Sequence, residues 1–119
     1  MNNITKALLT LSLTLGLLAG CAQPNPHSMD MTTAIQNTKT KADHEALASH
    51  YEQAAHDAEA KVQEHKQLLA QYQEHSYLYG RQAQMVEEHC ESLIHEYQQI
   101  AKANLQMAKL HRQIADEIK

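Results

Sequence analysis

The sequence predicts an all-α chain: an antiparallel two-helix hairpin with coiled-coil-like packing, suited to dimerising into a four-helix bundle. Three observations lead there. From Thr38 to Lys119 there is no proline and one glycine, Gly80. Ala, Gln, Glu, Lys and Leu dominate this stretch, and such side chains lose little freedom in a helix. Apolar residues also recur at helical spacing: Val86, Cys90, Leu93, Tyr97, Ile100, Asn104, Met107, His111, Ile114 and Ile118 step alternately by 4 and 3. This alternation is that of a heptad seam, with Ile94, Ala101, Ala108 and Ala115 widening it on one flank.

The elements follow in order. Residues 1–20 read as a cleavable leader: Met1 to Lys6 carries one cation, Ala7 to Leu18 is apolar, and the small Ala19 and Gly20 follow. The apolar run is too short to cross a bilayer as a helix, which takes about 20 residues. Residues 21–37 hold both prolines, Pro24 and Pro26, with several Asn, Ser and Thr, and predict a flexible tether reaching on the order of 20 Å. Residues 38–119 are the helical domain, with helices expected over about 40–76 and 81–118, each roughly 55 Å long. Between them lies Ser76-Tyr77-Leu78-Tyr79-Gly80. Glycine most easily takes the left-handed conformation that ends a helix. A single helix running through Gly80 is the rival, at a cost of only about 1 kcal/mol. Folding back is favoured because it buries both seams in one chain.

The two halves resemble each other. A shift of 46 positions, which carries Tyr51 onto Tyr97, also superposes Glu45 on Glu91, Leu47 on Leu93, Gln53 on Gln99, Ala55 on Ala101, His65 on His111 and Gln67 on Gln113. The first-half seam is then His44, Leu47, Tyr51, Ala54, Ala58, Lys61 or Val62, His65, Leu68 and Tyr72. With the fold-back centred between Tyr77 and Leu78, His44 faces His111, His65 faces Cys90, Tyr51 faces Asn104 and Ala58 faces Tyr97.

At the end of the leader, Leu18-Ala19-Gly20-Cys21 matches the lipobox of bacterial lipoproteins at every position. That resemblance implies diacylation of the Cys21 sulfur, cleavage before Cys21 and acylation of the new N-terminus. Several acyl chains, at roughly 0.8 kcal/mol per buried CH2, anchor a chain to a membrane far more firmly than one. Residue 22 is Ala rather than Asp, which in enteric-type sorting implies the outer membrane, facing the periplasm. The helical domain is similar in style to small Ala- and Glu-rich lipoproteins of proteobacteria, a likeness that transfers no functional residues.

Composition narrows the function classes. The chain has 119 residues, a formal net charge of −4 and 4% aromatics, all of them tyrosine. It carries no basic tract, so nucleic acid is not an expected partner. There is no Gly-rich loop, no catalytic triad placed on turns and no concave fold, so an enzyme is not expected. Two function classes remain. One is a membrane-tethered structural or interaction module, binding itself or another envelope protein. The other is an envelope copper- or zinc-binding or stress-buffering protein, with Cys90, His65, His89, His44 and His111 as its candidate ligands.

The metal signal is thin. The nine histidines include no pair at i,i+3 or i,i+4, the separations that place side chains together on a helix. No Glu-x-x-His, His-Glu-x-x-His or Cys-x-x-Cys occurs. Met85 with His89, Met107 with His111, and the segment His27 to Met31 supply soft ligands suited to Cu(I). With Cys21 acylated, Cys90 has no intrachain partner and reads as a small seam residue, an intermolecular disulfide or a ligand. If the seam buries His44, His65 and His111, they resist protonation, and acid is then expected to loosen the bundle.

Overall fold

The structure, a computed structural model, describes residues 29–119. The leader, Cys21 and the first part of the tether lie outside the described residues. Among the described residues every regular element is helical: α1 (Met31–Asn37), α2 (Lys41–Glu74), two 3-10 turns at Ser76–Leu78 and Gly80–Gln82, and α3 (Ala83–Glu117). The two long helices pack against each other, and among the described residues no helix is long and apolar enough to cross a membrane.

α1 corrects part of the expected tether. Residues 31–37 are helical because Asp30 caps them: Oδ1 accepts from the Thr32 and Thr33 amides at 3.1 and 3.3 Å, and Oδ2 accepts from Thr33 Oγ1 at 2.7 Å. These bonds satisfy amides that a helix start leaves orphaned, which offsets the low helix propensity of the two threonines. The same bonds hold the Asp30 carboxyl below the usual carboxylate range.

α2 opens on a capping box. Thr40 Oγ1 accepts from the Asp43 amide at 3.2 Å, while Asp43 Oδ2 accepts from the Thr40 and Lys39 amides at 2.8 and 3.0 Å. It ends at Glu74, two residues before the expected boundary, where the backbone tightens into 3-10 turns. Gly80 has φ +54, the only positive φ among the described residues. It is the left-handed residue of the reversal, and Tyr72 and Tyr79 brace the corner edge to face with centroids 5.3 Å apart.

The helices run in opposite directions. Lys41 Nζ lies 3.9 Å from Asp116 Oδ1, His44 meets His111, and nearer the turn His65 stacks on Tyr97. The buried apolar residues are Leu47, Ala48, Ala55, Ala58 and Val62 on α2 with Cys90, Ala101, Ala108 and Ala115 on α3. Six of these nine are alanines, so the helices close on small side chains that let the backbones approach.

This rotates the expected seam by one residue. Tyr97, Asn104 and His111 do face α2, but the second row is Ala101, Ala108 and Ala115, which hydropathy places on the flank. Ile100, Met107 and Ile114 instead remain 46%, 38% and 41% exposed. On α2, likewise, Ala48, Ala55 and Val62 are buried while Lys61 and Leu68 are exposed. Hydropathy favours Ile and Met as core residues, whereas close helix approach favours Ala, and here the approach decides the phase.

Candidate functional site

Three parallel rows of side chains organise each long helix. An inner row, Ala48, Ala55 and Val62 with Ala101, Ala108 and Ala115, closes the pair. Beside it runs a ring row: His44, Tyr51, Ala58, His65 and Tyr72 from α2, and Cys90, Tyr97, Asn104 and His111 from α3. Beyond the ring row lies an outer row, Leu47, Ala54, Lys61 and Leu68 on α2 with Leu93, Ile100, Met107 and Ile114 on α3.

The ring row interleaves across the helix pair. Tyr51 stacks on His111 with centroids 5.6 Å apart and planes 10° from parallel. His65 stacks on Tyr97 at 5.5 Å and 15°. These two stacks are exchanged by the internal repeat, which carries Tyr51 onto Tyr97 and His65 onto His111. The 46-residue likeness between the halves therefore appears in space as a pair of equivalent Tyr–His stacks, with Ala58 and Asn104 between them. Asn104 turns back to its own helix, donating through Nδ2 to the Ile100 carbonyl at 2.9 Å.

The ends of the row differ. At one end His44 joins the stack, its ring 5.3 Å from His111 and its Nδ1 3.0 Å from His111 Nδ1. Such a contact needs one ring to donate and the other to accept, so the two nitrogens share a single proton. Burial, and then the nearby His44, hold the His111 pKa below the ordinary imidazole value. At the other end the repeat places Cys90 where His44 stands. Cys90 is a buried free thiol whose pKa burial pushes upward, and His65 Nδ1 is buried without a hydrogen-bond partner.

The residues considered as metal ligands are thus dispersed. His44 and His111 come together, but His65 stacks on tyrosine instead of bonding to Cys90, and His89 is exposed. No group of three His, Cys, Asp or Glu side chains suited to holding a metal ion occurs among the described residues. The segment His27–Met31 lies partly outside them.

The two broad faces of the helix pair contrast in chemistry. One carries the charged groups: Arg112 Nη2 and Nε donate to the Glu52 carboxylate at 2.6 and 3.1 Å, and a groove of about 760 Å³ runs between the helices, lined by Ala60, Val62, Ala101 and the 48% exposed Leu105 together with Glu59, Lys66, Lys102 and Lys109. The other face carries the ring row and both outer rows. There Lys61 is the one charged residue of the outer rows, and its ammonium is held 2.6 Å from Glu64. Hydropathy periodicity assigns the outer row to the core, where Leu47 does lie, but Lys61, Leu68, Ile100, Met107 and Ile114 of that row are exposed; the alanines repeating every seventh residue are the signal that marks this face. Comparison with known protein families, with characterised proteins and with solved structures gives no match.

Proposed function

We propose that this chain is a membrane-anchored cell-envelope lipoprotein whose helical domain is a protein-interaction module. On this reading Cys21 bears the acyl anchor, most simply in the outer membrane, and α1 to α3 project into the periplasm. The long helices act as an antiparallel, coiled-coil-like hairpin that docks a further helix or helices, completing a bundle.

One observation carries the reading. The ring face presents Ile100, Met107 and Ile114 at 38–46% exposure in a heptad row, beside a core made largely of alanine. Burying a large aliphatic side chain is worth about 1.5–3 kcal/mol, and an alanine contributes much less. A helix pair closed by alanine leaves most of its available hydrophobic stabilisation on the surface, where only a partner can use it. The matching lipobox supplies the address, since a tethered module needs no catalytic centre to work by recruitment.

Site-specific photo-crosslinking tests this. A benzophenone amino acid replacing Ile100 in cells is expected to give discrete protein adducts, while one replacing Lys102 on the polar face gives none. Absence of any adduct at position 100 would sink the interaction reading. Metabolic labelling with a palmitate analogue tests the anchor separately: label is expected on the chain and should vanish in Cys21→Ser.

A further inference from the structure

We propose that the partner on the ring face is a second copy of this chain, related by a two-fold axis parallel to the helices so that α2 of each copy lies along α3 of the other. The inference rests on the interaction-module reading and names the module's occupant.

Spacing specifies a helix. Leu93, Ile100 and Met107 repeat every seventh residue, and a row with this period stays aligned only with another helix. The ring face also carries a second such row, Ala54, Lys61 and Leu68 on α2, because the ring residues of both helices lie on the same side.

Register then specifies the copy. The Tyr51–His111 and His65–Tyr97 stacks set Ala54 level with Met107, Lys61 with Ile100 and Leu68 with Leu93. Rotation about an axis parallel to the helices keeps every residue at its height while exchanging the sides occupied by α2 and α3. The partner's Ala54 therefore meets Met107, small against large, and the partner's Leu68 meets Leu93. Ile100 meets the aliphatic stem of the partner's Lys61, whose ammonium Glu64 draws aside. The interface is isologous, so each contact occurs twice. No charge of the outer rows is left facing another, whereas the polar face, with Glu52, Arg112, Lys66, Lys102 and Lys109, offers no comparable apolar row. The docked copies enclose the Tyr–His stacks in the middle of a four-helix bundle, the cofacial rings of each copy covered by the other.

Two differently tagged full-length chains, both carrying Cys90→Ala so that no hydroxyl is buried, test the arrangement when one bears Ala54→Cys and the other Met107→Cys. After co-expression and mild oxidation, a covalent heterodimer linking the two tags is expected at least tenfold above the Met107→Cys homodimer. Preferential Met107–Met107 linkage, which places α3 against α3, would overturn the arrangement. So would the absence of covalent dimers above a control lacking both new cysteines. Met107→Glu provides a second readout, with self-association in sedimentation expected to weaken at least tenfold while helical circular dichroism is kept. Unchanged self-association in that variant contradicts the proposal. Failure here is distinguishable from failure of the interaction reading: adducts at position 100 to a different protein without self-adducts refute the second copy and leave the module intact, while no adducts refute both.

Discussion

The two faces of the helix pair are built on the same two backbones, yet one is finished and the other is open. On the polar face, Arg112 forks onto Glu52, and lysines share the groove with Val62 and Leu105. On the ring face, aromatic rings stack across the seam and Ile100, Met107 and Ile114 stand partly bare. The difference arises from one choice of phase. Closing on the alanine row brings the helices near and turns out the heptad row Ile100, Met107 and Ile114 on the ring side, while Leu105 stands exposed by itself among the charges of the other side. Small residues thus create an interaction surface by declining to bury large ones.

The largest effect expected from breaking this comparison lies in the inner row. Ala101→Leu inserts bulk into the buried alanine row, and overpacking of this kind costs about 1–3 kcal/mol; urea unfolding reads it as a lowered midpoint. Next is Cys90, the buried thiol in the ring row. Cys90→Ser places a hydroxyl where no partner is set out for it, at about 1–3 kcal/mol, and in the native protein alkylation of Cys90 should run far slower than in urea, because the thiol is both buried and shifted up.

Acid should separate the faces further. Burial first, and then the nearby His44, hold the His111 pKa in the folded chain below its ordinary value of 6.5. His111 faces His44 and Tyr51, and the Arg112–Glu52 and Lys41–Asp116 pairs are close by. The unfolded chain then binds more protons than the folded one as pH falls through about 6.5, so stability is full above that value and declines below it. A thermal midpoint that falls from pH 7.5 to 5, with a shallower slope in His111→Gln, is the expected result. A slope unchanged by the substitution would remove the His pair as its cause. Smallest of all is Arg112→Ala on the polar face, where an exposed ion pair contributes little and less in high salt; a loss comparable to that of Ala101→Leu would mean the polar face is structural after all.

Much of this architecture is legible in the sequence, and the exceptions have physical reasons. The absence of proline between Thr38 and Lys119 marks the helical stretch, and Gly80 marks the reversal because it alone adopts a left-handed φ without strain. The 46-residue repeat, read from identities such as Tyr51 with Tyr97 and His65 with His111, emerges as two equivalent stacks. The phase of the seam is harder to read. Hydropathy ranks Ile100 and Met107 above Ala101 and Ala108, and only the mutual fit of two surfaces shows that the smaller residues lie between the helices. α1 is missed for a local reason: Asp30, one residue ahead of the Thr32–Thr33 pair, reads as linker polarity until its carboxylate is seen to cap the helix. The stacking of Tyr–His pairs depends on ring orientation across the helix pair, which spacing along one helix does not specify.

The adjacent residues Met107 and Ala108 offer the most direct test, because the seam phase assigns them opposite roles. Urea unfolding of Met107→Gln and Ala108→Leu, at a concentration low enough to keep the chains apart, compares the two faces with a one-residue step. The account expects Ala108→Leu to lower the midpoint strongly and Met107→Gln to leave it nearly unchanged. The reverse order, with Met107 sensitive and Ala108 tolerant, would place the large aliphatics inside and contradict the open ring face.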